Sequence, residues 1–154
     1  MLKIKSVFFA VSFFLMSFAL FAGERTIPVD IFLMIDKSQS MNEPGKFDSL
    51  HKWVRDTLVT EMLIPEDWIT VWEFYEKPHE LQTLVIKNEN DRNALIKTID
   101  NITPNGAFTD IGAALDAIQD SLNKRGKNNR YKILLLVTDL EQDAPWTSKY
   151  RGKQ

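Results

Sequence analysis

The sequence predicts an α/β fold, a mostly parallel sheet with helices on its faces. Two near-continuous apolar runs, IPVDIFLMID at 27–36 and YKILLLVTD at 131–139, each end in a carboxylate, as strands buried on both faces of a parallel sheet do. Between them, stretches with apolar residues every three or four positions alternate with β-branched, aromatic stretches. The resulting order is strand, helix, strand, strand, helix, helix, strand.

The first strand is read as Ile27–Asp36. Pro44 and Gly45 break the chain after it. Phe47, Leu50, Val54, Leu58 and Glu61 then fall at helical spacing, with Trp53 and Thr57 alongside, until Pro65 ends the helix near Leu63. Trp68–Tyr75 (WITVWEFY) is a strand by composition. Lys77-Pro78-His79 reads as a turn and Glu80–Lys87 as the return strand of a hairpin. Asn90 or Asp91 is placed to cap a helix carrying Leu95, Ile96, Ile99 and Ile102, closed by Pro104-Asn105-Gly106. Thr109 or Asp110 caps a second helix with Ile111, Ala114, Leu115, Ile118 and Leu122 on one face, and Gly126 ends it. Tyr131–Thr138 is the last strand, followed by Asp139. There is no internal repeat and no low-complexity tract.

Composition narrows the functions open to such a fold. The chain has 154 residues, with 19 Lys plus Arg against 21 Asp plus Glu and no Cys. That length suits one domain. A mildly acidic chain lacks the concentrated positive field that general nucleic-acid binding requires. The absence of Cys excludes a disulfide framework, a thiolate zinc site and a Cys nucleophile, so any metal must sit on oxygen or imidazole. His51 and His79 fit no metal-binding spacing and are assigned to the surface, Glu73, Glu76 and Glu80 to a solvated hairpin edge, and Lys124, Arg125, Lys127, Arg130 and Lys132 to a solvated loop.

Residues 1–22 read as an exported leader. Lys3 and Lys5 precede the uncharged run Val7–Ala22, with Phe8, Phe9, Phe13, Phe14, Phe18 and Phe21, before the chain turns polar at Gly23-Glu24-Arg25. Cleavage is expected after Ala22, leaving 23–154 as the domain. The run falls short of the roughly 20 residues of a spanning helix. The protein is therefore expected in the periplasm or outside the cell, membrane-anchored only if the leader is retained.

In open α/β sheets ligands collect at the carboxyl ends of the strands. Asp36 and Asp139 stand there. Asp36-Lys37-Ser38-Gln39-Ser40 places two hydroxyls at alternate positions behind a carboxylate, and Thr109 in Gly106-Ala107-Phe108-Thr109-Asp110 adds a third at a helix start. Two carboxylates and three neutral hydroxyls form an all-oxygen set suited to Mg²⁺, with Mn²⁺ the alternative. Taken singly, each has a plain structural reading: the acids and Thr109 as caps, the serines as partners of backbone groups. No Gly-rich phosphate loop occurs. A Mg²⁺-dependent phosphatase, the enzyme alternative, would want a second carboxylate where Ser38 stands.

These three pieces, DKSQS at 36–40, Thr109 in NGAFTDIGAAL and Asp139 in LLLVTD, occur in the order and on the elements of a von Willebrand factor type A domain, which the chain resembles. The resemblance implies a three-layer, Rossmann-like sheet and a metal-ion-dependent adhesion site. In that site Ser38 and Ser40 hold the metal directly, Asp36 acts mainly through water, and Thr109 and Asp139 approach the ion alternately. It implies a non-enzymatic module whose Mg²⁺ accepts an Asp or Glu of a protein partner. Two departures stand out. Leu140 replaces the family's usual Gly after the strand-end carboxylate, and the resemblance covers residues 27–143, about two-thirds of the usual domain. With strand order 3-2-1-4 the last strand would be an open edge. The expectation is a truncated frame or fragment; the alternative is a structural protein that pairs through that edge, or with a partner, without metal.

Overall fold

The computed structural model describes residues 25–152; the expected leader lies outside them. A four-stranded sheet has the order β3-β2-β1-β4, with β1 (Asp30–Asp36), β2 (Trp68–Phe74), β3 (Pro78–Val85) and β4 (Lys132–Val137). β1 runs parallel to both β2 and β4, while β3 returns antiparallel to β2, with a bulge at Val71/Trp72. The order, the hairpin and the mixed sheet agree with the sequence reading.

Strand β1 is buried along its whole length, and its period-2 alternation feeds two cores. Ile31, Leu33 and Ile35 pack with Leu50, Val54, Leu58, Leu95 and Ile99, from helices α1 (Lys46–Lys52), its π-helical continuation Trp53–Met62, and α2 (Glu89–Asp100). Phe32 and Met34 pack with Phe74, Ala114 and Ile118 under helix α3 (Ile111–Arg125). The Phe32 and Trp68 rings meet at 5.2 Å, tilted by 59°. The result is two helices on one face and one on the other, with the sheet between.

Several boundaries moved for identifiable reasons. β1 starts at Asp30 rather than Ile27 because Pro28 has no N–H to give the ladder and the Val29 N–H is taken by Asp67 Oδ1 at 2.8 Å. β3 starts at Pro78, a first-strand position that a missing donor does not harm, and ends at Val85. The cap of α2 is Asn88, with Asp91 reaching back in a reciprocal capping box. Asp110 caps α3 by accepting from Ala113 N at 3.0 Å. The first helix changes winding at Trp53: the Leu63 N–H donates to Leu58 O at 3.0 Å, five residues back. That winding brings Val59 into the core beside Val54 and Leu58, while Glu61 stays exposed.

Two buried aspartates outside the strand ends were not singled out by the sequence. Asp67, fully buried, accepts from Arg25, from Val29 N and from Ile64 N at 2.9 Å. Asp30 accepts a two-pronged pair from Arg125, both contacts at 2.9 Å, plus Asn128 at 2.7 Å, with Arg130 and Lys132 within 3.6 Å. Arg125, Arg130 and Lys132 are thus not a solvated loop: they surround a buried carboxylate, because a buried charge needs compensating partners. His51 is half-buried rather than fully exposed. It lies against Phe47 at 4.4 Å with Nε2 buried, and burial holds its pKa below the usual value.

Candidate metal centre

The carboxyl ends of β1 and β4 carry Asp36 and Asp139, and three loops are laced together there. The loop after β1 pairs with the loop after α2: Gly106 N donates to Lys37 O at 2.9 Å and Gln39 N to Gly106 O at 2.8 Å. A Cβ on Gly106 would lie 2.4 Å from Tyr75 Cβ, so only glycine permits this approach. The loop after β4 folds back so that Thr109 and Asp143 exchange two backbone hydrogen bonds, both 2.9 Å. Gln142 Oε1 accepts from Ile111 N at 2.8 Å, tying the same loop to the start of α3.

Within this frame Asp36, fully buried, accepts from Ser38 N at 2.8 Å and from Thr138 Oγ1 at 2.6 Å. Ser38 Oγ and Ser40 Oγ are 2.9 Å apart. Lys46 Nζ stands 3.3 Å from Asp139 Oδ2. Burial pushes the Asp36 carboxyl up, and the nearby charge of Asp139 adds to this against the hydrogen bonds from Thr138 and Ser38. Burial acts on Asp139 too, but hydrogen bonds from Ser40, the Glu141 N–H and Lys46 outweigh it and hold that carboxyl below its usual range. The mutual repulsion of these two carboxylates is what a dication would relieve.

Ser38, Ser40 and Thr109 line one pocket of about 140 Å³ together with Gln39, Ala107, Glu141 and Asp143. Asp36 and Asp139 are joined to it through the serines rather than lining it. Thr109 is 3% exposed, and its hydroxyl has no hydrogen-bond partner among the described residues. A hydroxyl with no protein partner that shares a pocket wall with two further hydroxyls fits an oxygen-seeking cation. Among the described residues no three His, Asp or Glu side chains gather as a metal cluster, so hydroxyls dominate the donor set. Lys37 is turned away, with its ammonium 3.3 Å from Glu73 and over the Tyr75 ring.

Sequence reasoning singled out Asp36, Ser38, Ser40, Thr109 and Asp139, which the structure brings to one end of the sheet. It missed Thr138, Lys46, Glu141 and Asp143. Only the short distance of Thr138, Glu141 and Asp143 from Asp139 along the chain signalled them, and nothing signalled Lys46.

The positive-φ position after the strand-end carboxylate is present: Leu140 has φ 65°. Known proteins share this architecture. An uncharacterized protein of Treponema pallidum (strain Nichols) is 64% identical over 141 residues, 92% of this chain, which spans 63% of that relative's length. Proximal thread matrix protein 1 from the mussel byssus, solved with a zinc-occupied MIDAS motif, superposes with TM-score 0.63 at 22% identity, covering 79% of this chain and 33% of that one. A von Willebrand factor type A protein from Catenulispora acidiphila superposes with TM-score 0.59 at 18% identity, covering 70% of this chain and 25% of that one. The family model for the von Willebrand factor type A domain matches residues 31–142, from the first core residues of β1 through the loop that closes the pocket, and the chain belongs to that family.

Proposed function

We propose that the chain is an exported, non-catalytic binding module in which Asp36, Ser38, Ser40, Thr109 and Asp139 hold a Mg²⁺ or Mn²⁺ ion that accepts an Asp or Glu of a protein partner. The observation that carries this reading is the Thr109 hydroxyl, without a hydrogen-bond partner among the described residues, on the pocket wall that Thr109 shares with Ser38 and Ser40. Three neutral oxygens facing the ion, with two carboxylates behind them, leave it electrophilic enough to attract an outside acid. Membership in a family of interaction and adhesion modules supports the same conclusion. So does the metal in the mussel protein's site, at the level of fold.

The test is a thermal-unfolding titration with MgCl₂ and MnCl₂. Metal at 100 times its Kd should stabilise the parent by about 2.7 kcal/mol. A Ser38→Ala, Ser40→Ala double variant should show no metal response, and neither protein should release phosphate from p-nitrophenyl phosphate. Equal stabilisation of parent and double variant would defeat the assignment, and turnover would favour a phosphatase instead.

A second reading has its own observation. Among the described residues β4 pairs only with β1, carries no charge after its first residue Lys132, and leaves Ile133 and Leu134 about 40% exposed. Such an edge favours pairing with another strand, the basis of a metal-independent assembly role. Sedimentation of the double variant separates the two, because edge pairing does not need the serines.

A further inference from the structure

The pocket's wall contains two carboxylates that the five-residue metal set leaves unused, Glu141 and Asp143. Neither forms a side-chain hydrogen bond or ion pair among the described residues. They differ in how firmly they are placed. Asp143 is locked beside Thr109 by the two-way backbone pair, and directly paired residues of an antiparallel bridge project their side chains to the same side. The carboxylate of Asp143 and the hydroxyl of Thr109, which has no partner among the described residues, therefore face the same space. Glu141 is anchored only by its N–H, which donates to Asp139 Oδ1 at 3.3 Å.

We infer that Asp143 is a further cation-holding residue, acting through a water that bridges its carboxylate to the ion held by Ser38, Ser40 and Thr109. The inference rests on the metal reading above and adds to it a carboxylate that approaches from the pocket wall, on a different loop position from Asp36 and Asp139. No three acidic side chains gather at one point among the described residues, which is why the contact is assigned through water. The added negative charge strengthens the hold on the cation. It also makes the loop carrying Asp143 an internal competitor for the vertex that a partner's acid would take.

The experiment is calorimetric titration of MgCl₂ and MnCl₂ into the full chain and into Asp143→Asn, Asp143→Glu, Glu141→Gln and the Ser38→Ala, Ser40→Ala double variant. Asp143→Asn should weaken Mg²⁺ binding about tenfold, the scale of an outer-shell partner, with the metal-free melting temperature unchanged. Asp143→Glu should recover most of the affinity, and Glu141→Gln should change it less than twofold. Parent-like affinity in Asp143→Asn overturns the inference while leaving the serine site intact. A loss shared by Asp143→Asn and Asp143→Glu, accompanied by a lower metal-free melting temperature, overturns it as a merely structural effect. A larger loss in Glu141→Gln than in Asp143→Asn also overturns it. Absence of Mg²⁺ and Mn²⁺ binding by the parent removes the underlying metal reading, an outcome distinct from the other three.

Discussion

Lys46 Nζ lies 3.3 Å from Asp139 Oδ2, so the first residue of α1 neutralises the carboxylate that ends β4. The same ammonium contacts Glu43 at 3.1 Å. A lysine in this place occupies the charge that a divalent ion would supply, and it repels that ion once bound. Lys46→Met should therefore raise Mg²⁺ affinity about two- to fivefold, the scale of an exposed charge pair, with the gain shrinking at high salt. Calorimetry at two ionic strengths checks this; weaker binding in the variant would mean that Lys46 positions Asp139 rather than competing for it.

Leu140 occupies a left-handed conformation at φ 65° and is 71% exposed, so its side chain has little packing to set against the strain. A branched residue there costs roughly 1–2 kcal/mol relative to a relaxed backbone, while glycine's greater freedom in the unfolded chain gives back part of that. Leu140→Gly should stabilise the protein by about 0.5–1 kcal/mol in urea unfolding. A destabilised variant would show that Leu140 makes contacts beyond those of the described residues.

The contrast between Leu140 and Lys46 shows where sequence reasoning reaches. Leu140 was suspect from the resemblance, because the family usually has Gly after the strand-end carboxylate. Lys46 was invisible, since its pairing with Asp139 spans 93 positions and depends on how α1 is seated. Continuous apolar runs marked the two central strands as buried on both faces, while the strand order 3-2-1-4 came from the family resemblance. The winding change at Trp53 and the gathering of Arg125, Arg130 and Lys132 around Asp30 were not legible, because both are set by packing against elements distant in the chain.

Gly106 joins the two hydroxyl-bearing loops, and any side chain there meets Tyr75 and sits 3.2 Å from Lys37 O. Gly106→Ala forces the loop of Thr109 away from that of Ser38, an overpacking cost of roughly 1–3 kcal/mol. Because the displacement separates the hydroxyls, Mg²⁺ affinity should fall together with stability. Unfolding and calorimetry on one preparation test the coupling, and a variant that loses stability yet binds Mg²⁺ like the parent would show that the two loops hold the site independently.

Asp30 supplies one acid-sensitive part of stability. Burial by itself would raise its carboxyl, but the hydrogen bonds from Arg125 and Asn128 and the charges of Arg125 and Lys132 outweigh burial and hold it below the usual range. A carboxyl lowered on folding contributes stability that is present above its unfolded value, about 3.9, and is lost as pH falls through the lower folded value. Asp30→Asn leaves Arg125, Arg130 and Lys132 facing an uncharged side chain, and breaking a buried pair from one side costs about 3–5 kcal/mol. The variant should therefore be much less stable than the parent at pH 7, and the gap should narrow as pH falls below about 3.9, where the carboxyl is protonated first in the unfolded chain and, at lower pH, in the folded parent. Urea unfolding at pH 7 and at lower pH measures both. A gap that stays constant with pH would mean that Asp30 acts through shape and hydrogen bonding rather than charge.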